Sequence, residues 1–299
     1  MASQQHQAGN RAFWVLVLGA VCISFAAIFV KAIGNERLGP TAIGFWRMLF
    51  GAIALFVWTI AEGRRVGLPR RIYFWSMLAG LAFFCDLYCW HRSIFLTGAG
   101  MATILGNTQV FGSAILGYFA FKEKLSAKFF VAAIAGFAGI VLLIGVGSDD
   151  VQLTQNYLLG VAFGLATGVF YASYISVVKQ ASQEHIEFGT LALMAWISLF
   201  CAIFLGVTAS FEATPMLPPD ATTWLLLIGL GLVPQALGWR AISSSLPHID
   251  AHKAGLALLL QPTLATAWGF MLFGEVLSVL QIAGAVITLG AIYFGSVRE

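Results

Sequence analysis

Charged side chains are scarce in this chain, with 13 acidic and 16 basic residues among 299. The few that interrupt apolar stretches invite a chemical role. An ionisable group inside a membrane helix costs about 2.5–3.5 kcal/mol on insertion scales, so it persists where it works or is paired. Asp86 stands in the apolar run Phe83-Phe84-Cys85-Asp86-Leu87-Tyr88-Cys89-Trp90. Trp90 lies one helical turn on and shares its face. Asp86 can meet a ligand ammonium, pass a proton, or form a structural pair with Arg47 or another helix. His91 and Arg92 follow near the end of the same run, where interfacial polarity explains them as well as a cavity does. Arg47 either receives a carboxylate or ties helices by donating to backbone carbonyls, since its guanidinium has five N–H donors to satisfy.

Amides form a second set. Gln109 and Gln261 lie 152 residues apart at matching places in two apolar segments. Such amides can bind a zwitterion without imposing a fixed charge, or they can hydrogen-bond between helices. Asn107 is a related candidate. Pro262 removes a backbone donor beside Gln261 and frees a carbonyl of the preceding turn, and Pro234 interrupts another apolar segment. Both are candidate kink or gating positions. Of the 25 Phe, 9 Trp and 7 Tyr, most must face lipid or its interface, as Trp14, Trp58, Trp75 and Trp224 do by position. Tyr88, Trp90, Tyr171, Tyr174, Trp239 and Trp268 are candidates for lining an aromatic cavity.

Other motifs have plainer readings. Gly160, Gly164 and Gly168 form a small-residue stripe for close helix packing. Cys22, Cys85, Cys89 and Cys201 all fall in apolar segments and are read as packing residues, because no further ligand completes a metal site near Cys85 and Cys89. His248-x-Asp250-x-His252 follows Pro247 in a short loop and is read as solvated polarity. Glu123 and Glu275 sit at helix ends and are read as caps or packing anchors. No cofactor or metal is expected.

The elements that must carry these residues are set by composition. Sixty per cent of the chain is hydrophobic and 10% is charged, against about 25% charged in ordinary globular domains. Lipid is the solvent that accommodates such a chain. A helix needs about 20 apolar residues to cross the hydrocarbon. Ten candidate spans satisfy this, at residues 13–33, 41–61, 72–93, 99–121, 129–146, 157–178, 190–210, 223–244, 254–273 and 279–297. Short polar breaks separate them, among them Gly34-Asn35-Glu36-Arg37 and Pro218-Pro219-Asp220. The first span is too long for a signal-peptide core and is read as retained. With residues 1–12 as a cytoplasmic tail, the alternation puts 12 basic residues on the cytoplasmic side and three, Lys31, Arg37 and Arg92, on the other. That bias fits the positive-inside rule.

The chain also repeats. A shift of 152 residues lays Gln109 on Gln261, Gly117 on Gly269, Phe121 on Phe273, Glu123 on Glu275, Leu125 on Leu277 and Ser126 on Ser278. A shift of 148 lays Arg92 on Arg240 and Ile94 on Ile242. The halves are therefore read as residues 13–150 and 151–299, five helices each. Five is odd, so the second half enters the membrane from the opposite side. Inverted repeats of this kind are a signature of secondary transporters, with the site near the midplane between the repeats.

These residues carry a resemblance. Pro40-Thr41-Ala42-Ile43-Gly44-Phe45-Trp46-Arg47, together with Phe121-Lys122-Glu123-Lys124-Leu125-Ser126 and Phe273-Gly274-Glu275-Val276-Leu277-Ser278, resembles the motifs of the drug/metabolite transporter superfamily, EamA type, over nearly the whole chain. Within it the chain looks most like the YddG-type exporters of aromatic and other amino acids. The resemblance implies an all-α integral membrane protein with ten helices in two inverted halves, a central cavity and export of metabolites, amino acids or drugs. Its members often carry proline midway along both the fourth and ninth helices. Here Val110 stands where the first proline would be, which puts a symmetric kink in doubt.

The expected function is a secondary transporter that exports small metabolites, amino acids above all, across a bacterial inner membrane, with both termini cytoplasmic. An integral membrane enzyme would need a convergent nucleophile, base or metal set, and no such motif appears in any span. A channel would lack two mutually exclusive gates. Absence of a Walker motif argues against direct use of ATP, and the small net charge of +3 argues against nucleic acid. The expected partners are the lipid bilayer and a small-molecule substrate, and the expected assembly is a monomer or weak dimer.

Overall fold

The computed structural model describes residues 2–121, 127–146, 151–184, 190–245, 248–249, 254 and 257–296. Among these residues the regular structure is entirely helical. The helices are α1 (Ala2–Ile33), α2 (Pro40–Ala61), α3 (Arg70–Thr97), α4 (Ala99–Gly106), α5 (Gln109–Phe121), α6 (Ala127–Ile144), α7 (Gln155–Glu184), α8 (Thr190–Phe211) and α9 (Ala221–Leu230). A π-helical stretch (Gly231–Gly238) continues α9 into α10 (Trp239–Ser245), and α11 (Leu260–Phe273) and α12 (Val279–Ser296) complete the bundle. Residues 2–12, expected as a tail, continue α1.

The helix ends follow local chemistry. Pro40 opens α2 at a position where its missing N–H costs nothing. Asp220 caps α9, accepting from the Thr223 amide at 2.8 Å. Gly274 ends α11 in the left-handed conformation, φ 64°, which glycine adopts without a Cβ clash.

Seven continuous helical runs among the described residues are long and apolar enough to cross a membrane. The α12 segment Val279–Gly295 is apolar but shorter. The expected span 99–121 is broken into α4 and α5 by a turn at Asn107–Thr108. The expected span 254–273 also has a turn, at Leu259. The two turns are again 152 residues apart. The proline-free first segment is therefore interrupted at the place that matches the second. At Asn107 the side chain adds a second donor at the last turn of α4. Its Nδ2 joins its own backbone N–H in donating to the Thr103 carbonyl, at 2.8 and 3.1 Å, and past it the ladder tightens to bonds three residues back, Thr108 to Leu105 and Val110 to Asn107. Pro262 lies in the first turn of α11, where a missing donor is tolerated, and produces no mid-helix kink there.

Large apolar side chains face outward. Phe119 is 75% exposed, Phe137 71% and Leu225 69%. No soluble fold leaves such a continuous apolar girdle, and lipid is its natural solvent. The protein is a multi-pass membrane protein. Inside the girdle α3 packs on α7 and α8, α2 on α8 and the π-helical stretch, and α1 on that stretch, α10 and α11. The glycine stripe of α7 gives close packing. A Cβ at Gly160 would meet Leu96 at 2.5 Å, and one at Gly164 would meet Leu105 at 2.7 Å.

The end of the bundle where α1 finishes and α2 begins is tightly filled. Val30, Ile33, Leu38, Ile43, Ile94, Ala99, Leu227 and Leu230 form one buried cluster there. Polar ties reinforce it. Lys31 pairs with Glu275, and Glu275 accepts from the Ala99 amide at 2.9 Å, capping α4. Arg92 pairs with Glu212 at 2.7 Å, and Glu212 also accepts from Thr41.

Candidate functional site

Below that cluster lies a cavity of about 100 Å³. Its walls come from the middles of α1, α2, α3, α4 and α7, from the start of α10 and from the first turn of α11. Arg47, Asp86, Trp90, Asn107, Tyr171, Trp239 and Gln261 line it. These seven sequence candidates, widely separated in the chain, therefore meet in one place. Ser24, Phe83, Thr103 and Thr167 complete its polar and aromatic surface. None of those four was singled out from the sequence, because single hydroxyls and phenyl rings in apolar helices carry no distinguishing signal.

The two charged residues are both buried, Arg47 4% and Asp86 5% exposed. They do not form an ion pair with each other within 4.0 Å. The Asp86 carboxylate has no hydrogen-bond or ion-pair partner among the described residues, and only its backbone carbonyl is engaged, by Thr167 Oγ1 at 3.4 Å. Arg47 donates from Nε to Gln235 Oε1 at 3.2 Å. Its Nη1 is buried without a partner among the described residues, and its guanidinium carbon lies 5.4 Å from the Trp90 ring centroid. The two opposite charges thus face one cavity without a direct contact between them, and burying them in this way is costly unless something further satisfies them.

Gln235 is the residue that sequence reasoning missed. It is 3% exposed and its amide also donates to Ser198 at 3.4 Å. It sits beside Pro234 in the π-helical stretch, where the wider turn follows from the donor that Pro234 lacks. Gly51 of α2 makes room for it, since a Cβ there would lie 3.1 Å from the Gln235 Cβ. A buried amide in an apolar span next to a proline was the available signal.

The remaining sequence candidates do not line the cavity. His91 is fully buried between α3 and α2, its Nδ1 donating to the Pro40 carbonyl at 3.0 Å. Tyr88 lies under Arg92, whose guanidinium carbon is 3.5 Å from its ring centroid. Tyr174 stands behind the wall, stacked on Phe83 at 4.6 Å. Gln109 accepts from Ser113 at 2.9 Å within α5. The break at Asn107 resets the helical phase, so Asn107 and not Gln109 meets Gln261 at the cavity. Pro234 and Pro262 act as described above. Trp268 stacks on Phe25 at 5.3 Å and donates to Ser24. Glu123, Asp250 and His252 lie outside the described residues.

Comparison with known proteins adds the following. The model of the EamA-like transporter family matches residues 10–145 and again 158–297. An "Uncharacterized transporter" of Archaeoglobus fulgidus is 28% identical over 287 residues, covering 93% of both chains. A protein of Escherichia coli described as "Probable amino-acid metabolite efflux pump" is 24% identical over 286 residues, again with 93% of both chains covered. A solved crystal structure covers 96% of each chain with a TM-score of 0.67 at 17% identity, which speaks to the fold alone.

Proposed function

The chain belongs to the EamA-like transporter family, and from that premise we propose that it exports amino acids, aromatic or other neutral ones, across a bacterial inner membrane by alternating access. The observation that carries this reading is the pair of opposite charges, Arg47 and Asp86, which line one cavity with amides and aromatic rings and make no direct contact with each other. An α-amino acid presents the two complementary charges on neighbouring groups. The cavity volume of about 100 Å³ favours a small metabolite over a drug-sized one, whose pockets typically run to about 300–1,000 Å³. The E. coli relative's description points the same way.

Two inverted five-helix halves, residues 13–150 and 151–299, supply the mechanism. The double match of the family model supports that division. So do the breaks at Asn107 and Leu259, at matching places. The loop 212–220 meets the start of α2, through Gly39 to Pro215 at 3.0 Å and Trp46 to Met216 at 2.9 Å, whereas 62–69 follows the end of α2. These contacts support a reading in which equivalent loops of the two halves belong to opposite faces. The tightly filled end is the periplasmic one by the positive-inside rule, so the cavity belongs to a state closed to the outside.

A panel of labelled amino acids tested for counterflow in proteoliposomes decides the substrate. Saturable counterflow of alanine, leucine or phenylalanine is expected. Counterflow confined to other metabolites would leave a carrier but reject amino acids, and flux without counterflow would indicate a channel.

A further inference from the structure

We propose that Gln235, carried on the π-helical stretch, positions Arg47 as the docking point for the substrate's carboxylate, while Asp86 takes its ammonium group. This rests on the amino-acid reading above and adds an orientation and a specificity-determining residue to it.

The argument begins with the guanidinium's donors. Arg47 is anchored at Nε by Gln235 Oε1, and that is its one side-chain hydrogen bond among the described residues. Gln235 is itself fixed, with Ser198 accepting from its amide nitrogen and Gly51 allowing its close approach to α2. The guanidinium carbon lies over the Trp90 ring. With one edge held, neither terminal nitrogen has a protein acceptor among the described residues, and Nη1 is buried without one. A guanidinium held in this way matches a carboxylate bidentately. If Arg47 served only to tie helices, its terminal nitrogens would be satisfied by carbonyls or carboxylates, and Asp86 on the neighbouring helix would be the obvious partner. They do not pair within 4.0 Å. Asp86 lines the same cavity and carries the opposite charge, so a zwitterion satisfies both groups at once.

The test measures affinity for three molecules that share a side chain. They are the transported amino acid (phenylalanine or alanine), the amine lacking the carboxylate (phenethylamine or ethylamine) and the acid lacking the ammonium (3-phenylpropionate or propionate). Each is scored by inhibition of counterflow and by thermal shift of the purified protein. In the wild type, loss of either charged group weakens binding about 10- to 100-fold, as for a hydrogen bond to a charged group. In Arg47→Gln the amino acid and the amine bind equally, while preference over the deaminated acid persists. In Asp86→Asn the pattern reverses. Gln235→Leu narrows the preference for amino acid over amine by about 3- to 10-fold, and in the Arg47→Gln background it adds nothing further, as residues acting through one another do. A purely structural role would weaken amino acid and amine alike and leave their ratio at the wild-type value, and that result overturns the inference while the amino-acid reading stands. Should Arg47→Gln fail to fold, the same ratio in Gln235→Leu and Arg47→Lys decides. Absence of any amino-acid counterflow in the wild type overturns both.

Discussion

Arg47 is held at one nitrogen and lacks a partner at another, and Asp86, in the same cavity, has no direct side-chain hydrogen bond or ion pair among the described residues. At the residue scale that arrangement separates binding from tying. A buried pair whose partners found each other would be inert, and breaking it would only destabilise the fold. Asp86 also stands as the one carboxylate among the residues lining this cavity, so it is the natural coupling group if protons drive export. Asp86→Asn is then expected to abolish dependence of flux on a pH gradient while counterflow at equal pH persists at reduced affinity. Unchanged dependence, measured in proteoliposomes with imposed pH gradients, removes Asp86 from that role. The charges themselves were legible in the sequence, because any ionisable group in an apolar run is conspicuous. Gln235 was marked only as an amide beside a proline in an apolar span, because its importance depends on where a π-helical turn aims it, and a period of 3.6 residues does not describe that turn.

At the element scale the joint between α3 and α4 concentrates several constraints. Gly98 has φ 97°, and a Cβ there would lie 2.9 Å from the Glu275 carboxyl carbon. Glu275 closes the N-terminus of α4 and pairs with Lys31 of α1, joining three helices from distant parts of the chain. Glu275→Ala is expected to destabilise the protein by about 2 kcal/mol or more, the cost of leaving donors to a charged acceptor unmatched. Glu275→Gln keeps an acceptor for the amides but loses the charge, so its melting temperature falls between those of Ala and wild type. Equal melting of all three would deny Glu275 an anchoring role. A helix end was the right place to look for such an anchor, and the sequence showed Glu275 there. It could not show that the carboxylate serves a helix about 175 residues away, since that depends on tertiary packing. The breaks in the two equivalent segments show a similar limit. A proline marks one of them, whereas the other falls at Asn107, whose side-chain bond to the Thr103 carbonyl composition does not display.

At the scale of the whole molecule, hydrophobic content alone demanded lipid, and the spacing of polar breaks placed most helices within a few residues of their observed bounds. Those features are read from one-dimensional patterns with periods the sequence preserves. Which faces turn inward was less accessible, because several breaks shift helical phase. Gln109, beyond the turn at Asn107–Thr108, stands outside the cavity while Asn107 and Gln261 line it, and His91 and Tyr174 lie on unbroken helices but off the cavity-lining face. The transport account depends above all on the opposed orientation of the halves, since inverted relatives open one face and close the other by exchanging conformations. Single cysteines at Gly67 and Ala213, both exposed in loops at opposite ends of α2, test this directly when Cys22, Cys85, Cys89 and Cys201 are replaced. A membrane-impermeant maleimide applied to intact cells is expected to label the cysteine at 213 and to reach the one at 67 only after lysis. Labelling of both from the same side would contradict the antiparallel arrangement and, with it, alternating access around this cavity.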